Sequence, residues 1–165
     1  MLLLINLFSK RQFQISMKYL ATIVLSAFAL LTQAQIKDPV KWSFESKKID
    51  NKTFEIRITA TMDPKWHIYT IDHEGDIGVA TSFKFNKNPL GELKGAVKPS
   101  QKAIKSKDPS TGEMVSFFQG KVTFTQTVVL KSPVKTTYTG LVEYMACDDK
   151  MCLPPTERTF SIVLQ

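Results

Sequence analysis

The chain has 165 residues, with 22 basic against 15 acidic side chains for a formal net charge of +7, and only two cysteines. The length suits one domain with a real core. Its lysines are scattered apart from a mild cluster at Lys98, Lys102, Lys105 and Lys107, without a Gly-rich phosphate loop or interleaved aromatics, which argues against nucleic-acid binding.

Residues 1–34 carry Lys10, Arg11 and Lys18, no acidic residue, and two apolar runs. That is a targeting composition. The run from Tyr19 to Leu31 follows Lys18 and ends in Thr32-Gln33-Ala34, with small residues where a signal peptidase reads, so cleavage is expected after Ala34. Met17-Lys18 would open a signal peptide of ordinary length, which makes Met1 to Ser16 a candidate over-called start. A run of about 13 apolar residues falls short of the ~20 that span a bilayer. The expected product is a soluble periplasmic or secreted domain over residues 35–165, with no stable membrane insertion. Its 19 basic and 15 acidic residues give +4, ordinary for a solvated surface.

Period-two alternation recurs through this domain. Val40 to Glu45 opens it, and Thr53 to Ala60 is the clearest case, with Phe54, Ile56, Ile58 and Ala60 on one face. Further strands are expected at Trp66 to Ile71, Thr81 to Phe85, Glu92 to Val97, Lys121 to Leu130, Thr136 to Met145 and Thr159 to Leu164. Turn formers separate them: Asp63-Pro64, Glu74-Gly75-Asp76, Asn86 to Pro89, Asp108 to Gly112 and Ser132-Pro133. Short punctuated strands predict an all-β fold of two stacked antiparallel sheets. Lys98 to Gly112 lacks alternation and reads as a long exposed loop or a flap.

The chemistry concentrates near the C-terminus, where Cys147 and Cys152 sit five positions apart at a strand end. In a straight strand they would stand about 16 Å apart, whereas a disulfide needs Cα atoms roughly 5.5 Å apart. The four residues between must double back, and Asp148-Asp149-Lys150 is turn material. Pro154-Pro155 forbids helix and stiffens the exit. A stabilising staple is the usual fate of two cysteines in an exported domain. A ring this short contributes only about 2 kcal/mol in the chain-entropy account, against about 4 to 5 for a hundred-residue loop. Spacing alone leaves staple and redox pair open.

The flanking pattern Tyr-x-x-Cys-x-x-x-x-Cys-x-Pro-Pro, Tyr144 to Pro155, followed by Thr159 to Leu164, resembles the active-site hairpin of the N-terminal domain of DsbD, the thiol:disulfide interchange protein. Asp63-Pro64-Lys65-Trp66-His67-Ile68-Tyr69 is similar to that family's early aromatic strand, and Phe117 to Phe124 resembles the strand after its cap loop. The resemblance implies an immunoglobulin-like β-sandwich of antiparallel strands. It further implies a reduced Cys147/Cys152 pair that hands electrons to oxidised periplasmic partners and is recharged by a thioredoxin-like domain. In the aligned cap, Ser106 to Glu113, no aromatic occupies the tip, and the cysteines are one residue closer than in familiar members. The chain shows neither a membrane relay nor a thioredoxin-like domain, so a separate membrane electron transporter and thioredoxin-like redox proteins are the expected partners.

Asp148 and Asp149 beside Cys147 disfavour its thiolate, whereas Lys150 lies near Cys152, which makes Cys152 the expected nucleophile. The resemblance assigns the same order, with Cys147 resolving the mixed disulfide. Trp66, Tyr69, Phe117 and Phe118 are candidates for either sandwich core or site wall, and Tyr144 is the favoured wall. Glu113, Asp148 and Pro154 complete the wall or cap candidates. His67, alternating with Trp66 and Ile68, is expected to face solvent or a pocket wall. His67 and His73 with the two cysteines make a poor zinc set because the histidine spacing exceeds the usual range. Asp72, Glu74 and Asp76 match no cation loop, and no metal or organic cofactor is expected. The rival to a dithiol carrier is a non-catalytic immunoglobulin-like interaction module with a permanent disulfide.

Overall fold

The longest strands form where alternating side chains give one apolar face. The computed structural model describes residues 37–73, 77–108 and 111–165, so the expected signal peptide and the Glu74-Gly75-Asp76 turn lie outside the described residues. Strands β1 (Val40–Lys48) and β2 (Thr53–Met62) form a hairpin in which Val40 opposes Met62 and Lys48 opposes Phe54. Asp50 shapes its turn, accepting the Lys52 and Thr53 amides at 2.8 Å each, a side chain standing in for a backbone carbonyl. Phe54, Ile56, Ile58 and Ala60 share the buried face, as their alternation predicts.

Strand β8 (Lys121–Leu130) pairs with β2, and β5 (Gly91–Pro99) pairs with β8, completing an antiparallel sheet β1-β2-β8-β5. Gln126 is buried in the inward row of β8. Its amide donates to the carbonyls of Lys94 and Gly95, where the β5 register shifts, so the polar group satisfies acceptors that the bulge releases.

A second sheet, order β11-β9-β4, is built from β4 (Ser82–Phe85), β9 (Thr136–Tyr144) and β11 (Thr156–Leu164). Aromatic side chains join the two sheets: Trp42 meets Tyr144 at 5.1 Å, Phe44 meets Phe160 at 5.6 Å, and Phe83 meets Phe124 at 4.9 Å between ring centroids. Such inter-sheet packing is the core of a sandwich.

A third, smaller sheet holds β3 (His67–Tyr69), β6 (Ile104–Lys107), β7 (Met114–Gln119) and β10 (Ala146–Cys147) in the order β10-β3-β7-β6. It continues the β2–β8 ladder around a bend. That ladder ends at Thr61 opposite Lys121, the Met62 amide donates to the Gly120 carbonyl at 2.7 Å, and pairing resumes with His67 opposite Gln119. One chain spends Asp63-Pro64-Lys65-Trp66 on the bend while the other spends Gly120. Lys65 at φ 73° and Gly120 at φ 76° absorb the change of direction.

The bend shortens the strand expected at Trp66 to Ile71 to three residues. Lys98 to Gly112, expected to be loop or flap, is partly strand: Lys98 and Pro99 finish β5 and Ile104–Lys107 is β6. All four β6 side chains are exposed, so no apolar period marks them. Among the described residues no helix is long and apolar enough to cross a membrane.

Gly140 sits where a Cβ would collide with the Lys84 carbonyl and the Phe160 ring. Gly140→Ala is expected to cost about 1–3 kcal/mol of unfolding free energy in urea titration. A cost below about 0.5 kcal/mol would contradict the close approach of β4 to β9.

Candidate functional site

The two faces of the small sheet have different surroundings. Ile68 and Ala146, opposite one another, point into the sandwich core. Their neighbours His67, Tyr69 and Cys147 therefore point outward, because successive side chains alternate. Cys147 pairs with His67, and Tyr69 pairs with Phe117. Around them lies a second apolar cluster of buried Tyr69, Val115 and Cys147 with Ile77, Phe117 and Met145 packed on it.

Cys147 and Cys152 are joined in a disulfide with Cα atoms 4.0 Å apart. The chain doubles back through Asp148, whose carboxylate accepts the Lys150 and Met151 amides at 2.9 Å each, while its own amide donates to the Met151 carbonyl at 2.9 Å. The Leu153 amide, donating to the Ala146 carbonyl at 2.8 Å, closes the hairpin. The sulfurs are unequal in access: Cys147 is 2% exposed, and Cys152 is an exposed residue.

Tyr69 covers the buried sulfur. Its hydroxyl lies 3.7 Å from Cys147 Sγ, and since a disulfide sulfur carries no proton, the hydroxyl is the donor. Three features hold the ring in place. Thr81 Oγ1 donates to the Tyr69 carbonyl at 2.6 Å; the His73 ring packs at 4.5 Å, with Nε2 donating to the Ile77 carbonyl at 2.6 Å; and Gly78, at φ 82°, leaves the space that a Cβ would take from the ring. Burial, reinforced by the negative charge of Asp108, pushes the Tyr69 hydroxyl above its ordinary pKa and keeps it protonated.

Between the cysteine hairpin and the β6–β7 hairpin runs a cleft of about 390 Å³, with Cys152, His67 and Phe117 in its lining and charge of both signs around it, from Lys65, Lys107 and Lys150 and from Asp108, Asp148 and Asp149. The His67 ring lies tilted against Phe117, with ring centroids 4.5 Å apart. Burial lowers the His67 pKa, against the upward pull of Asp149, Asp108 and Asp148.

The remaining wall and cap candidates fall elsewhere. Trp66, Phe118 and Tyr144 are buried in the sandwich core, and Tyr144 packs on Trp42 rather than on the cysteines. The reason is topological: Tyr144 ends β9, and after Met145 the chain leaves that sheet for β10, so Tyr144 and Cys147 belong to different sheets. Glu113 is exposed and its carbonyl accepts the Asp108 amide at 2.8 Å. Pro154 is exposed beyond the hairpin, its carbonyl accepting the Thr156 hydroxyl at 3.1 Å. Ile77, Gly78, Val115 and Met145 were not foreseen, and His73 was weighed only as a zinc ligand. The period-two offset of Val115 from Phe117 was the one available signal.

Comparison with known proteins places this geometry in a family. Residues 33–164 match the family described as Thiol:disulfide interchange protein DsbD, N-terminal. The N-terminal periplasmic domain of ScsB from Proteus mirabilis is similar with a TM-score of 0.52 and 14% identity, over 79% of this chain and 48% of that one. The reduced DsbD N-terminal domain from Neisseria meningitidis gives a TM-score of 0.48 and 15% identity over 75% and 84%. The complex between the DsbD and PilB N-terminal domains from the same species gives 0.48 and 14% over 78% and 88%. No curated protein matches in sequence. The packed antiparallel sheets are the immunoglobulin-like sandwich of the DsbD N-terminal domain, and with all but the first 32 residues and the last within the match, the chain belongs to the DsbD N-terminal domain family.

Proposed function

We propose that this domain is a periplasmic thiol–disulfide exchange protein that passes electrons through Cys147 and Cys152, with thioredoxin-like proteins as partners and a separate membrane transporter as electron source. The observation that supports it is the unequal access of the two sulfurs, Cys152 exposed and lining the cleft and Cys147 buried. A structural staple needs no such asymmetry, whereas exchange needs one sulfur that partners reach and one that they do not.

The chemistry follows from that asymmetry. In the reduced domain the Cys152 thiolate attacks one sulfur of a partner disulfide, and the partner's other sulfur leaves as a thiolate. Cys147 then attacks Cys152 Sγ, the Cys152–partner bond breaks, and the second partner sulfur is released. The partner gains two electrons and the domain regains its own disulfide. Tyr69 favours this second step by donating a hydrogen bond to the sulfur that must become anionic.

Mixing Cys147→Ala with an oxidised thioredoxin-like partner is expected to leave a mixed disulfide through Cys152, visible on non-reducing gels. Cys152→Ala should leave none, and equal trapping by both variants would contradict the assignment. In the reduced domain, iodoacetamide should modify Cys152 at least about tenfold faster than Cys147. Gly78→Ala, by displacing the Tyr69 ring, should bring the two rates together; an unchanged ratio would show that Tyr69 does not shield Cys147.

A further inference from the structure

Four residues stand side by side across the outer face of the small sheet. Cys152 bridges to Cys147, Cys147 pairs with His67, and His67 pairs with Gln119. Directly opposed residues on antiparallel strands have Cβ atoms about 4.5–5.5 Å apart on a shared face. His67 is therefore the cross-strand neighbour of Cys147, on the strand away from Cys152. Its ring lies edge-on to Tyr69 at 5.8 Å and borders the cleft that Cys152 opens into.

The resolving step makes a demand that this row meets. Cys147 is buried and adjoins Asp148, and both features disfavour its thiolate. The Tyr69 hydroxyl stabilises the anion by donation but, being protonated, takes no proton. Burial keeps the imidazole toward its neutral form, and Asp149, Asp108 and Asp148 keep it from losing its basicity altogether.

We propose that His67 accepts the proton of Cys147 when the mixed disulfide resolves, and returns a proton to the same sulfur when the domain's disulfide is opened. The inference rests on the carrier reading. In resolution, the Cys147 S–H proton passes to the imidazole, the freed electron pair attacks Cys152 Sγ, and the Cys152–partner bond breaks with the partner sulfur leaving as a thiolate. In opening, an external thiolate attacks Cys152 Sγ, the bond to Cys147 breaks, and the electron pair left on Cys147 Sγ takes the proton of the imidazolium. The charged or titratable groups facing this ring are Asp148, Asp149 and Lys150 from the cysteine hairpin, Lys107 and Asp108 at the end of β6, Lys65 in the bend and Tyr69 on its own strand. His73, the other histidine nearby, contacts Tyr69 and the Ile77 carbonyl and is outside the row.

The test is the rate at which dithiothreitol opens the oxidised domain between about pH 5.5 and 8, the range of imidazole titration, with each rate divided by the thiolate fraction of the reductant. In the wild type the corrected rate should rise as pH falls, by about tenfold, a modest general-acid contribution. His67→Gln should give a flat profile. A rise that persists in His67→Gln, or a flat wild-type profile, would each overturn the proposal. The wild-type profile needs no variant, so a misfolded His67→Gln protein does not remove the test. A disulfide that opens normally with an unaltered His67→Gln profile overturns only the role of His67. One that dithiothreitol fails to open in any of the proteins overturns the carrier reading and this inference with it.

Discussion

The Met62 amide meets the Gly120 carbonyl at 2.7 Å, and at that hydrogen bond the ladder between β2 and β8 turns. Asp63-Pro64-Lys65-Trp66 fills one side of the turn and Gly120 the other, so the same two chain segments pair first in the sandwich wall and then in the small sheet. The turn lets one face of the small sheet serve as core, through Ile68 and Phe118, while the opposite face remains available for chemistry. Without it His67, Tyr69 and Phe117 would have no separate surface. The aromatic packing between the two large sheets supplies the rigidity on which that surface rests.

The cysteine hairpin is attached to this surface by two different devices. The Asp148 carboxylate, by accepting two amides of its own turn, fixes the fold-back locally. The inner sulfur is fixed by tertiary structure: β10 pairs with β3, and Tyr69, backed by Gly78, His73 and Thr81, sits against Cys147. One end of the pair is thus defined by a short loop in solvent and the other by a packed cluster. The covering residues belong to the frame and not to the loop, and the disulfide itself is a crosslink of only five positions, which contributes little as a staple.

Strands with one buried face were legible from alternation, and Phe54, Ile56, Ile58 and Ala60 show why: hydrophobic burial imposes the same period on sequence and structure. β6 was hidden because all of its side chains are exposed, and β10 because two residues carry no period. The hairpin was legible from its turn residues and prolines, which are local signals. Tyr144 was the favoured wall because it is three residues from Cys147 in the chain, yet a change of sheet at Met145 sends the two side chains to different surroundings. Tyr69, seventy-eight positions from Cys147, holds the position by the sulfur instead. Gly78 and His73 support it through contacts made only in the folded chain.

The central claim, that the Cys147–Cys152 bond is opened and closed in use, is tested most directly by its reduction potential in the purified domain, equilibrated against glutathione buffers and read by thiol alkylation. The account predicts a value above about −300 mV, in the range of exchange proteins, with the strand pairings retained in the reduced form. A value far below about −300 mV, or unfolding on reduction, would contradict it and make the disulfide a structural crosslink.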